Sequence, residues 1–229
     1  MKKLKQGCDL HSCFLCRNVI EAWRPLLELR RQTYSVAKGE QLFTEGAQVE
    51  GVFFLVNGKV KVHQRWTEDK ELILRFAGPG AIVGHRGLGA DLHYPVSATA
   101  LEPCTICFIP LDFFYATLKT NPELLLLLMQ FFADELRESE QRMRNMARLT
   151  VKSRVAAALL FLEQKFGTTA DGYLNITISR QDLAAYVGAT YETVFRMLAE
   201  LSDAGLIQTS GKELLLSDHA GLQTAAGQE

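Results

Sequence analysis

The chain has 229 residues, 48% of them hydrophobic, and a formal net charge of -1. That length allows one or two domains with a substantial core. The near-neutral balance excludes a global positive field that would draw the chain onto nucleic acid or acidic lipid, so any such binding must come from a local patch. The longest apolar run, Leu124 to Met129, is too short to span a bilayer.

The opening "MKKLKQG" carries lysines with no apolar run behind it, which speaks against a secretory signal and for a cytoplasmic protein without membrane contact. Residues 1–29 read as a leader with a short helix. Its stretch "CDLHSCFLC" holds three of the five cysteines, Cys8, Cys13 and Cys16. The leader looks too polar and too short to pack alone. In a reducing compartment, clustered cysteines more often bind metal or do redox chemistry than form structural disulfides.

Residues 30–115 read as a small β-barrel or jelly roll: many short strands punctuated by glycine. Asn57-Gly58 between "VFFLV" and "KVKVHQRW" is a hairpin signal. "ELILRF" and two pieces of "VSATALEPCTICFIP" supply further strands. "AGPGAIVGHRGLGADLHYP" reads as a glycine-rich loop region, and a weak phosphate signal, since no clear helix follows it.

The period changes in residues 116–150. From Pro122 to about Leu149 there is no glycine or proline. Leu125, Met129, Phe132, Leu136, Ser139, Met143 and Met146 follow alternately at four and three residues, a seam of about three heptads. The opposite face carries Glu135, Arg137, Glu138, Glu140, Gln141 and Arg142. A long helix with one narrow apolar stripe fits a two-helix coiled coil, so Leu125, Met129, Phe132, Leu136 and Met143 are the predicted dimerisation residues of a homodimer. The alternative is an amphipathic helix packed on its own domain.

Residues 151–229 read as a winged helix-turn-helix. Ser179 and Asp182 resemble a capping box. A short helix through Leu183, Ala184 and Val187 ends at Gly188, and Thr190 caps a second helix with apolar Val194, Leu198 and Leu201. "DAGLIQTSGKELLLS" forms the wing. The first residues of such a second helix enter the major groove. Tyr191, Glu192, Thr193 and Arg196 are therefore the predicted base readers: arginine can bond the guanine edge twice, and glutamate can accept from the cytosine amino group. Ser179, Arg180, Gln181 and Lys212 are placed to hold phosphates. No nucleophile–base pair, Walker loop or His-rich metal motif points to an enzyme.

"KGEQLFTEGAQVEGVFFLVNGKVKV" and "ISRQDLAAYVGATYETVFRMLAELSDAGLI" resemble the effector barrel and the helix-turn-helix of the cyclic-AMP receptor/FNR family of bacterial transcription regulators. The resemblance spans roughly Tyr34 to Leu216 and carries the family's Glu-Thr-Val-x-Arg pattern at Glu192 to Arg196. It implies an α+β fold: an N-terminal jelly-roll, cyclic-nucleotide-binding-like β-barrel, a long dimerisation helix and a C-terminal winged helix-turn-helix. It also implies a regulator or activator with double-stranded DNA, a second copy of itself and RNA polymerase as partners. Glu192 and Arg196 match positions that read a G·C core. Phe195 replaces a small serine of the FNR branch, and its ring either touches a thymine methyl or packs inward.

The family's cyclic-nucleotide grip is missing: Val96-Ser97 stands where Arg-Ser is expected, and no Gly-Glu pair precedes it. A phosphate buried without its arginine is poorly compensated, which argues against cyclic nucleotide. His85 and Arg86 leave another anion open. "LEPCTICFIP" resembles the oxygen-sensing FNR branch, and the match falls on Cys107. The resemblance then implies that Cys8, Cys13, Cys16 and Cys107 hold an iron–sulfur cluster, 4Fe-4S in preference to 2Fe-2S, although the C-x4-C-x2-C spacing also suits the two-iron, plant-type centre. Cys104 competes with Cys107; three residues apart on a strand, they point to opposite faces. Zinc, a thiol switch, and haem on His11, His63 or His93 are the other readings. In the cluster reading, oxygen or nitric oxide acts by loosening the dimer.

Overall fold

The computed structural model describes residues 1–4, 13–67 and 70–227. The chain forms two compact units, Met1–Leu136 and Arg137–Glu229.

The first unit begins with β1 (Lys2–Leu4), α1 (Phe14–Asn18) and α2 (Arg24–Arg30). The strands β2 (Gln32–Val36), β3 (Gln41–Phe43), β4 (Gly51–Asn57), β5 (Val60–Thr67), β6 (Lys70–Ala77), β7 (Ile82–Val83), β8 (Ser97–Ala100) and β9 (Cys104–Pro110) follow. They form two sheets, ordered β1-β2-β9-β4-β7 and β3-β8-β5-β6. Side chains from both, among them Val36, Phe53, Leu55 and Ile106 from one and Leu42, Val60, Val62 and Ala98 from the other, share one buried core. This is the jelly roll.

The outer face of the five-stranded sheet carries a second core. Val52, Phe54, Cys107 and Ile109 project into it and meet Leu15, Leu27, Phe114, Leu124 and Leu128. β4 and β9 are thus buried on both faces, which is why "VFFLV" and "CTICFIP" read as continuous rather than alternating apolar runs. Each fully buried leucine or phenylalanine there contributes about 1.5–3 kcal/mol.

Three readings are corrected here. Asn57-Gly58 turns the chain, with Gly58 at φ 85°, but closes no hairpin: β4 pairs with β7 and β9, and β5 with β6 and β8. A turn signal is local, whereas strand pairing is settled by which faces must be buried; this turn carries the chain from one sheet to the other. The glycine-rich stretch is not all loop, since it contains β7 and a 3-10 turn, His85–Gly87.

The leader is the third. From Cys13 onward it packs: Cys13, Leu15, Cys16, Val19 and Leu27 are all buried. Polar bonds pin it as well. The Ile20 amide donates to Asn121 Oδ1 at 2.8 Å, and Trp23 Nε1 donates to Thr117 Oγ1 at 3.1 Å. Cys8 lies outside the described residues, as does His11.

The barrel closes into two helices rather than one: α3 (Leu111–Thr120) and α4 (Pro122–Arg148). Asn121, at φ -128°, ends the first, and proline starts the second, where its missing N–H costs nothing. The first unit takes α4 to Leu136. There α4 has two apolar stripes, not one. Leu124 and Leu128 are buried against the barrel, while Leu125, Met129, Phe132 and Leu136 are 41%, 60%, 38% and 61% exposed.

The second unit holds the last turns of α4, then α5 (Val151–Phe166), α6 (Arg180–Val187), α7 (Tyr191–Asp203), the antiparallel pair β10 (Ile207–Ser210) and β11 (Glu213–Leu216), and α8 (His219–Ala225). Its core joins Val155, Leu159 and Leu162 to Leu183, Val194, Leu198, Leu201 and Leu222. Met143 is exposed on α4 in this unit.

Candidate functional site

The local chemistry of the helix-turn-helix is complete. The Asp182 amide donates to Ser179 Oγ at 2.9 Å, and the Ser179 amide donates back to Asp182 Oδ2 at 3.2 Å, a reciprocal capping box. Gly188 takes φ 65°, ψ 49°, a left-handed conformation that costs a residue with Cβ about 1 kcal/mol or more. Its amide bonds back to Ala184, and Thr190 Oγ1 then accepts from the Thr193 amide at 3.3 Å to start α7. Two orphaned helix ends are thus satisfied within three residues.

α7 buries Val194, Met197, Leu198 and Leu201 and exposes Tyr191, Glu192, Phe195 and Arg196. Thr193 is half-buried, its hydroxyl 3.0 Å from that of Thr190, so it supports the cap. Phe195 does not pack inward: it is 58% exposed and stacks on Tyr191, ring centroids 6.2 Å apart and planes at 23°. Gln181 and Lys212 are exposed, and Lys212 sits in the wing turn. Ser179 is engaged in the capping box. Arg180 Nη2 donates to the Gly211 carbonyl at 3.1 Å, fastening the start of α6 to the wing tip.

The cysteines separate into two environments. Cys13, Cys16 and Cys107 belong to the outer core, together with Leu124 and Leu128. Cys104 belongs to the barrel interior. Its Sγ lies 3.1 Å from the Glu102 carbonyl and 3.5 Å from that of Lys59. Burial, helped by the nearby Glu102 charge, pushes its thiol up to about 11. The Thr33 hydroxyl is 3.9 Å from Cys107 Sγ. Three soft thiol donors in one buried core fit an iron–sulfur or zinc centre by donor chemistry. Among the described residues no three such side chains stand together as a ready metal site.

The histidines divide similarly. His63 is buried and bonded to Thr99 Oγ1 at 2.8 Å and Glu71 Oε2 at 2.8 Å. His93 is exposed beside Asp91.

A charged site missed in the sequence lies between the barrel and α4. Glu135, placed above on the solvent face, has a side chain only 12% exposed, with Oε1 3.3 Å from Arg75 Nε and Oε2 3.3 Å from Arg86 Nη2. His85 Nε2 is 3.8 Å away, and its ring lies edge-on to Phe131 and Phe132. Burial pushes the Glu135 carboxyl up, but His85, Arg75 and Arg86 outweigh it and hold the group at about 2. Burial pushes the His85 imidazole down, against the pull of Glu135. Glu135 continues the inner Leu124–Leu128–Phe131 spacing, and that continuation was the available signal.

A cyclic-nucleotide-binding-type barrel, a long helix and a winged helix-turn-helix together define a DNA-binding transcription regulator. Comparison with known proteins gives the same class. The model of the cyclic nucleotide-binding domain matches residues 34–121, and that of the Crp-like helix-turn-helix domain matches residues 153–225. The transcriptional activator protein FnrA of Stutzerimonas stutzeri is 31% identical over 193 residues, 83% of this chain and 78% of FnrA. The transcriptional activator protein anr of Pseudomonas aeruginosa is 30% identical over 218 residues, 94% of this chain and 88% of anr. The structure of FixK2 from Bradyrhizobium japonicum superposes with a TM-score of 0.76 at 25% identity, covering 85% of this chain and 96% of FixK2. The chain belongs to the CRP/FNR family and has FNR-like relatives; the family and these relatives are transcription regulators, not enzymes. Among the described residues no helix is long and apolar enough to cross a membrane.

Proposed function

We propose that this regulator is a cytoplasmic homodimer that binds a palindromic operator, works with RNA polymerase, and is gated by an iron–sulfur centre held by Cys8, Cys13, Cys16 and Cys107. The observation that carries this reading is the membership of one buried core: Cys13, Cys16 and Cys107 share it with Leu124 and Leu128, while Cys104 does not.

Thiolate-held iron and sulfide supply a centre that changes redox state and is sensitive to oxidants, which zinc is not. The chain's own residues supply the mechanics. Cys13 and Cys16 bracket the first turn of α1 and Cys107 lies in β9, so holding all three fixes α1 against the sheet. Leu124 and Leu128 seat α4 on that same core. The opposite stripe, Leu125, Met129, Phe132, Leu136 and Met143, then pairs with a second copy. Any rearrangement around the thiols is felt by the seat of α4, because a packed core transmits displacement instead of absorbing it.

Dimerisation makes the second half-site contact intramolecular, which multiplies affinity without any new contact. Tyr191, Glu192 and Arg196 meet base edges, with Thr193 behind them; Gln181, Lys212, Ser179 and Arg180 lie toward the phosphates. The cyclic-nucleotide grip is replaced by Val96-Ser97, and His85 and Arg86 are turned to the chain's own Glu135, which supports an effector other than cyclic nucleotide. Iron and sulfide analysis of anaerobically purified protein, with gel shifts on palindromic duplexes before and after air, tests the reading.

A further inference from the structure

On α7 the residues exposed at the groove-facing end form two ridges, each of residues four apart. Glu192 and Arg196 make a polar ridge; Tyr191 and Phe195 make an aromatic one about 100° around the helix. Tyr191 is 44% and Phe195 58% exposed, yet the rings are ordered against each other, nearly parallel at 23°. Two large aromatics presented to water on a helix whose opposite face is fully buried give up the stabilisation that burial would bring. Neither ring is buried in the domain core.

The occupant follows from where the ridge sits. If α7 enters the major groove, as the proposed function holds, the pair lies against base edges beside Glu192 and Arg196. Those edges present nitrogen and oxygen donors and acceptors with one apolar group among them, the C5 methyl of thymine. A charged or amide side chain in place of Phe195 would find a hydrogen-bond partner on several base pairs, whereas a phenyl ring finds favourable surface on one. We infer that Phe195, held by its stack on Tyr191, reads a thymine C5 methyl in each half-site, adjacent to the base pair read by Glu192 and Arg196, and so sets the operator preference of this chain. The stack fixes the ring before binding, so little side-chain freedom is lost on contact.

The experiment uses the full-length anaerobic protein and a palindromic duplex recovered by selection from a randomised pool. Each thymine in one half-site is replaced in turn by deoxyuridine, which keeps the pairing edge and removes only the methyl. Wild-type protein is expected to lose about three- to tenfold in affinity at one thymine, the scale of burying a single methyl group, and little at the others. Phe195→Ala should bind the thymine duplex as weakly as wild type binds the uracil duplex, and should be indifferent to the replacement. Phe195→Leu should restore part of the methyl dependence. Wild-type binding that no thymine-to-uracil change alters would overturn the inference and leave the DNA-binding reading intact. A Phe195→Ala loss that is equal on every duplex, including thymine-free ones, would overturn it too, assigning the ring to self-association or backbone packing. Failure of wild type to enrich any sequence would remove the underlying reading and the inference together.

Discussion

Cys104 and Cys107, three residues apart on β9, lie in different cores: Cys104 faces the interior of the jelly roll, and Cys107 faces the outer core that α1 and α4 share. One strand thus separates a thiol pushed up to about 11 by its burial from one that shares a buried core with Cys13 and Cys16 of the leader. Cys107→Ser, Cys13→Ser and Cys16→Ser should each lower the iron content of anaerobically purified protein severely. Cys104→Ser should retain iron and cost about 1 kcal/mol in urea denaturation, the ordinary scale for a small buried change. Iron analysis of the four variants decides it; equal retention in Cys107→Ser would move the fourth ligand elsewhere.

Glu135 clamps α4 to the barrel through Arg75 and Arg86. Removing one member of a buried charged set leaves the others uncompensated. Glu135→Gln should destabilise the first unit by about 3 kcal/mol and weaken dimerisation with it, because Phe132 and Leu136 flank it on the same helix. Thermal unfolding and sedimentation velocity read the two effects separately.

The same site fixes a pH dependence. The buried His85 imidazole is held below its ordinary value of 6.5, so the unfolded chain takes up a proton first and stability falls as pH drops through about 6.5. The Glu135 carboxyl, held at about 2 against an ordinary 4.5, contributes stability that is present above 4.5 and lost as pH falls toward 2. Both act in one direction, each at no more than about 1.4 kcal/mol per pH unit. His85→Gln should flatten the fall below pH 6.5, followed by urea denaturation at fixed pH, and should also weaken the acid limb, because His85 is among the groups that hold the Glu135 carboxyl down, leaving the part due to Arg75 and Arg86.

The outer stripe of α4 is exposed within the single chain, so charging it should leave the fold alone. Met129→Glu and Leu136→Glu, at positions 60% and 61% exposed, should change stability by no more than about 0.5 kcal/mol while converting the protein to monomer in sedimentation velocity. Operator affinity should fall by orders of magnitude with the lost second contact. Arg196→Ala should instead cost about 1–3 kcal/mol at a single base pair, without affecting dimerisation.

What was legible in the sequence was what short-range chemistry decides. Ser179, Asp182, Gly188 and Thr190 fix their caps and turn through bonds to residues within four positions, and the observed geometry follows them. The exposed stripe of α4 was legible from its period alone. Pairing beyond the turn was not: Asn57-Gly58 bends the chain as its residues demand, but the strands on either side join different sheets because both faces of β4 must be covered. The leader was misread for a related reason. Leu15, Val19 and Leu27 lie in runs too short to form a core of their own, and their apolar partners, Phe54, Ile109 and Leu124, come from far along the chain. Glu135 sits at an inner position of its helix, yet a charge at such a position reads as solvent-facing until Arg75 and Arg86 are placed opposite. α8 carries only Leu222 as a buried anchor, too little for a periodic signal.

The most direct measurement is operator affinity, by gel shift on the selected palindrome, of anaerobic wild-type protein and the Cys107→Ser variant, each before and after exposure to air. The account predicts iron-bearing wild type that binds tightly and loses that binding in air, beside a variant that is iron-poor and binds weakly in both conditions. Iron-free wild type that binds equally well in both conditions, with Cys107→Ser indistinguishable from it, would contradict the account.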